Sequence, residues 1–173
     1  MYNVKTIEND EDFLRKKSAK VSFKDTSYKD EIDLLKKFCI ERDSFAVSAI
    51  QLGLPKRIVY FNRNEEKVID KVMINPKVIS KRGKAEYWEA CTSVPDRIGL
   101  VERSYEIEVE YFDINGKRIK ETFIGLDATI IAHELDHLDG VLYIDKAKEM
   151  KNITKDEKIT FRKNHPYTII SKK

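Results

Sequence analysis

His133, Glu134 and His137 stand in the order His-Glu-x-x-His within the run IAHELDHLDG. On a helix, residues four apart differ by only about 40° around the axis, so both imidazoles point the same way and can bind one metal ion. Glu134 directly follows the first histidine and can reach a water held on that ion. Imidazole ligands beside a carboxylate base are the equipment of a metal-dependent hydrolase. A five-residue pattern also arises by chance, as a helix with ordinary polar histidines. Two of the chain's three histidines fall inside this one, which weighs against chance.

Two histidines leave a ligand missing. In His-Glu-x-x-His peptidases it comes from downstream, a Glu in gluzincins and a His soon after a Gly in metzincins. The downstream candidates here are Asp139, Asp145, Glu149 and His165. Asp139 is too near to fold back onto the ion, and His165, next to Pro166, lacks the metzincin spacing. Upstream stands Cys91, in EYWEACTSVPD, whose polar neighbours read as a loop. A buried small residue is the plain alternative for it. Cys39 sits on an apolar helix face and reads as structural.

The elements that must position these groups follow from periodicity. Residues 27–43 have Ile32, Leu35 and Cys39 on one face with Phe38 beside it, a helix pattern. Residues 56–62, KRIVYFN, form an apolar run after Gly53 and Pro55 and predict a buried strand. Residues 71–80 predict a second strand, edge-like or bulged at Pro76. In 105–113, Ile107, Val109 and Tyr111 alternate with three glutamates, so one face is apolar. Asn115-Gly116 then predicts a hairpin turn into a partner strand over 117–125. Residues 126–139 predict the metal-motif helix, stopped by Gly140. Leu126 and Ile130 share the histidine face, and Ile131, Leu135 and Leu138 form an adjacent stripe. From Lys146 onward a short helix and an extended end are expected, with Lys155, Lys158, Arg162 and Lys163 as a solvated face. The fold class is α+β, with mainly antiparallel strands packed around a central metal-binding helix.

Composition bounds the rest. A chain of 173 residues with 41% hydrophobic and 36% charged residues suits one globular domain over 1–173. A net charge of +3, with Lys and Glu intermixed, gives no nucleic-acid footprint, and a ribosome contact through the tail has no support in the sequence. No apolar run approaches the length of a transmembrane helix. The start, MYNVKTIEND, lacks the features of a secretory or organellar leader, so a cytoplasmic protein is expected. Two cysteines make no disulfide framework of the secreted type.

Three segments in order resemble the peptide deformylase family. The motif His-Glu-x-Asp-His-Leu is present as residues 133–138 and continues into DGVLYID. Glu-Gly-Cys-Leu-Ser appears as Glu89-Ala90-Cys91-Thr92-Ser93. Gly-x-Gly-Leu-Ala-Ala-x-Gln appears as SFAVSAIQ, Ser44 to Gln51. The likeness runs from about Leu14 to Asp145 and implies a deformylase-like fold. It also implies hydrolysis of the formyl group from the N-terminal formyl-methionine of newly made polypeptides. Cys91, His133 and His137 would bind one divalent metal, Fe(II) foremost, with Ni, Co or Zn able to substitute. Glu134 would act as acid–base, while the Gln51 amide and the Thr92 backbone N–H would face the formyl oxygen. Ser44, Phe45, Ala46, Tyr87, Glu89, Leu126, Thr129 and Ile130 would line the substrate. Glu89 would also pair with Arg97 or Arg103. The implied partner is the nascent formyl-Met chain, with no membrane, and the protein would act as a monomer.

The first motif departs from the family: Ser44 and Ala46 stand for both glycines, Val47 for Leu, and Ser48 for the first Ala, while Ala90 replaces the glycine before Cys91. Glycine permits φ > 0 or close backbone approach, so an altered substrate groove is expected around an intact metal shell. A deformylase-like paralogue, acting on another formyl or acyl amide or binding without catalysis, is the alternative reading. An unrelated His-Glu-x-x-His peptidase is disfavoured by Cys91 and Gln51.

Overall fold

The structure, a computed structural model, describes residues 2–63 and 69–173. Helix α1 spans Ile7–Leu14 and α2 Tyr28–Arg42. A short strand β1, Ala46–Ser48, runs into a 3₁₀ turn, Ala49–Leu52. Strands β2 (Ile58–Arg63), β3 (Ile69–Arg82), β4 (Lys84–Cys91), β5 (Val94–Arg103), β6 (Glu106–Phe112) and β7 (Arg118–Ile124) follow. Helix α3, Leu126–Leu138, is succeeded by a 3₁₀ turn Tyr143–Asp145, β8 (Glu149–Asn152), α4 (Lys155–Asn164) and β9 (Thr168–Ser171).

The strands make two antiparallel sheets, in the orders β1-β2-β3-β6-β7 and β8-β5-β4-β9. Successive side chains on a strand point to opposite faces, and β2 is apolar on both. Ile58 and Tyr60 pack with Ile32, Leu35, Phe38 and Cys39 of α2. Val59 and Phe61 pack with Ile131, Leu135 and Leu138 of α3. The five-stranded sheet therefore lies between α2 and the metal-motif helix, and the α+β architecture is as expected. On β6, Ile107, Val109 and Tyr111 are buried, as the alternation requires.

Gly140 ends the α3 region with φ 74, and a Cβ there would lie 2.1 Å from the Arg15 carbonyl oxygen. Only glycine fits both constraints. Leu138 O accepts from Ser18 N at 2.9 Å, so the end of α3 is fixed against the chain after α1.

Of the two readings of Pro76, edge or bulge, the bulge holds: β3 lies between β2 and β6, and its register shifts between Ile74 and Lys77, where the missing N–H of Pro76 falls. Other expectations are corrected. Cys91 is not in a loop: it is the buried last residue of β4. Strands β4, β5 and β8 have no clean alternation and were not expected, whereas α4 and β9 are the short helix and extended end expected of the tail. In α4, Lys155 and Lys163 are exposed, but Lys158 and Arg162 are half-buried and border the site described next.

Candidate metal centre

Burial of the Ile131–Leu135–Leu138 stripe turns the opposite face of α3 toward β4. That face carries His133 and His137, and Cys91 closes β4 against them. Cys91 Sγ lies 3.3 Å from His137 Nε2, which lies 3.2 Å from His133 Nε2. All three donor atoms fall within 4.8 Å of one another. Donors held about 2.0–2.3 Å from one tetrahedral ion are about 3.3–3.8 Å apart, so the three atoms fit one face of such an ion. All three residues are buried.

The atoms behind this face orient it. His133 Nδ1 donates to Glu89 Oε2 at 2.7 Å, which leaves the Nε2 lone pair pointing at the site. Glu89 is in turn held by Arg103, whose guanidinium also meets Asp136 at 2.7 Å, and Asp136 takes Lys146 at 2.6 Å. Of the two arginines expected beside Glu89, the structure selects Arg103. Burial works to raise the Glu89 pKa, but Arg103 and His133 outweigh it and hold the carboxyl at about 2, so it is an anion. Burial opposes a charge on His133, but Cys91 and Glu89 outweigh it and raise its pKa well above the ordinary value. The same neighbours favour a cation at Nε2. Burial and the nearness of His133 keep His137 neutral, as a ligand must be. Tyr143, from DGVLYID, stacks on His133 with ring centroids 5.9 Å apart.

Glu134 is buried behind the ligands, and burial raises its pKa above the ordinary carboxylate value. Its Oε2 accepts from Ser48 Oγ at 2.6 Å. Ser48 is a site residue the sequence did not reveal; it read only as a departure from Ala. Gln51 Nε2 donates toward Cys91 Sγ at 3.2 Å and Ser93 Oγ at 3.3 Å, while its Oε1 accepts from Ser48 N at 2.9 Å. The amide therefore faces the metal site with a fixed orientation. Ser93, fully buried, is likewise newly seen. Cys39, whose thiol burial pushes up to about 12, is core, as expected.

In front of the ligands opens a cavity of about 450 Å³. Ser44, Phe45, Ala46, Tyr87, Glu89, Thr92, Leu126, Thr129 and Ile130 all border it, together with Gln51, Cys91, His133 and Glu134. β1 is the end strand of its sheet there. Neither Ser44 nor Ala46 has positive φ; the non-glycine residues that do are Asp43, Asn75 and Asp96 among those described. Loss of the glycines thus brings no backbone strain, and Ser44 Oγ donates to Ala46 O at 2.9 Å. Glu89 spends its carboxylate on Arg103 and His133 rather than on the cavity.

Two imidazoles and a thiol close enough to share one ion, with a carboxylate and an amide donor alongside, are a group that could serve a mononuclear metallohydrolase. A family model for polypeptide deformylases matches residues 1–153. The peptide deformylase of Finegoldia magna is 38% identical over 152 residues, covering 87% of this chain and 91% of its own. That of Nitrosococcus oceani is 37% identical over 138 residues, covering 80% and 83%. Among solved structures, a probable peptide deformylase from Synechococcus phage S-SSM7 matches with a TM-score of 0.77 and 33% identity, covering 84% of this chain and 99% of that one. A class I type b peptide deformylase from Acinetobacter baumannii, bound to Met-Ala-Ser, matches with 0.78 and 27% identity, covering 84% and 98%. The chain belongs to the polypeptide deformylase family. It is an enzyme that removes the formyl group from N-formylmethionyl peptides. No helix among the described residues is long and apolar enough to cross a membrane.

Proposed function

We propose that Cys91 Sγ, His133 Nε2 and His137 Nε2 hold one divalent ion, Fe(II) by family likeness, with Ni, Co or Zn able to substitute. Thiolate and imidazole donors suit all four. The convergence of three donor atoms within 4.8 Å carries this reading. When bound, the ion makes water acidic enough to lose a proton near neutral pH and polarises the formyl group.

The chain's own groups do the remainder. Glu134, buried and with a raised pKa, accepts the water's proton and later returns it to the leaving amine. The Gln51 amide and the Thr92 backbone N–H donate to the formyl oxygen as the carbon becomes tetrahedral and charge gathers there. Leu126 and Ile130 give the methionine side chain an apolar floor, with Phe45, Tyr87 and Thr129 around it and Ser44 and Ala46 beside the peptide backbone. The Met-Ala-Ser bound by the Acinetobacter enzyme has the form of a deformylated product, which supports a methionyl peptide as the occupant. The protein acts in the cytoplasm, as a monomer built of one domain over 1–173.

Glu134→Gln tests the assignment. It should leave one metal per chain, because Glu134 is no ligand, and lower kcat on formyl-Met-Ala-Ser by about 100- to 10,000-fold. Cys91→Ala should lose the metal as well as activity. Full turnover by Glu134→Gln, or full metal content in Cys91→Ala, would refute the roles given.

A further inference from the structure

The cavity has one wall that the family match does not reach, for the match ends at residue 153 and α4 begins at Lys155. Helix α4 is seated on β4 by aromatic contacts: Phe161 meets Trp88 edge-on at 5.0 Å and stacks on His165 at 3.9 Å. Arg162 Nε donates to the Trp88 carbonyl at 3.2 Å, and its guanidinium lies 5.3 Å above the Tyr87 ring. β9 then pairs with the edge of β4, and Tyr167 packs against Tyr87 at 6.2 Å. This seating brings Lys155, Lys158 and Arg162, spaced i, i+3 and i+7, to the mouth of the cavity, with Arg42 on its rim as well.

Four carboxylates line the cavity with these four cations: Glu89 is taken by Arg103 and His133 and Glu134 by Ser48, which leaves Asp43 and Asp96 to face the cations. Lys158 is half-buried and has no ion pair within 4 Å among the described residues, though Asp96 acts on it from farther off. Like charges three and four apart on a helix repel. A carboxylate between Lys158 and Arg162 would relieve that repulsion and supply the missing partner.

Resting on the reading of this cavity as the formyl-Met site, we infer that Lys158 and Arg162 select polypeptides carrying Asp or Glu in the residues that follow the methionine. The apolar floor takes methionine and is neutral to what comes after, whereas the α4 wall is not. The recognised group is a side-chain carboxylate; the free C-terminal carboxylate of a short peptide offers the same chemistry and is separated by the test.

The test uses full-length metal-loaded protein and three peptide series: Met-Ala-Gln-Asn-Ser amide, Met-Ala-Glu-Asp-Ser amide, and the neutral peptide as free acid. Formylated versions give kcat/KM, and unformylated versions give Kd by calorimetry. The acidic amide should lead the neutral amide by about threefold to tenfold at low ionic strength, a preference screened away near 1 M salt. Lys158→Gln should reduce the preference and Lys158→Glu reverse it. Lys163→Gln, an exposed lysine off the cavity, should leave it unchanged. Equal handling of neutral and acidic amides, or a preference that survives Lys158→Glu, overturns the inference. A gain confined to the free-acid peptide also overturns it, because the chain terminus is then the group recognised. If no formylated peptide is turned over, the proposed function fails, yet Kd values that favour the acidic amide and reverse in Lys158→Glu still uphold the role of α4.

Discussion

Replacing Arg103 with Gln probes whether the charges behind His133 hold the ligand face together. Arg103 is 7% exposed, and its guanidinium pairs with both oxygens of Glu89 and reaches Asp136 at 2.7 Å. With its pKa at about 2 instead of 4.5, Glu89 contributes ~3 kcal/mol to folding at neutral pH. Removing one partner of a buried pair costs about 3–5 kcal/mol, the same order. The sign follows from linkage: a carboxyl with a depressed folded pKa stabilises fully above its unfolded pKa and loses that contribution as pH falls toward 2. Without Arg103, burial raises the pKa of Glu89, so protonation relieves the variant. Urea unfolding of metal-free protein should thus show Arg103→Gln weaker by ~3 kcal/mol at pH 7, with the gap narrowing by about 1–2 kcal/mol at pH 3.5. Metal affinity should fall about 10- to 100-fold as His133 loses its fixed orientation. A variant within 1 kcal/mol of the native chain at pH 7 by the same assay (roughly the worth of an exposed pair), or an equal gap at both pH values, would refute the reasoning.

Ser48→Ala removes a donor from the buried Glu134 carboxylate and should cost about 1–3 kcal/mol in urea unfolding while metal content stays at one per chain. An unchanged stability would mean that the hydroxyl is dispensable. Ser44→Gly with Ala46→Gly should raise kcat/KM selectively for long formyl-Met peptides if these side chains narrow the groove; equal kinetics for both chains on all lengths would end that idea. Asp145 is partly buried, which alone would raise its pKa, but Arg15 and the Leu142 N–H outweigh this and lower it. Its contribution is therefore fully present above the unfolded value near 3.9 and is lost as pH falls from there through the lower folded value, so Asp145→Asn should lose about 0.5–1 kcal/mol at pH 7 and progressively less as the pH is lowered below 3.9, by thermal or urea unfolding.

The helices and strands with one clean period were legible in the chain. α2, β6 and α3 each repeat apolar residues at the spacing of the element, because each buries one face, and β2 reads as an unbroken apolar run because α2 covers one of its faces and α3 the other. The metal motif was legible for the same reason: both histidines belong to one helix, and helical geometry alone aligns them. Cys91 could be tied to them only by family likeness, since a ligand 42 residues upstream depends on where β4 packs. β4 and β5 were hidden because β4 carries the site, so Glu89 and Cys91 occupy buried positions that an ordinary strand would fill with aliphatic residues. Ser48 looked like damage to a motif until the fold set its hydroxyl 2.6 Å from Glu134, 86 residues away. The choice of Arg103 over Arg97, and of Lys158 and Arg162 as cavity residues rather than solvated ones, was made in the same way. Periodicity records what an element buries; which charge meets which across elements is decided only when the sheets and helices close on one another.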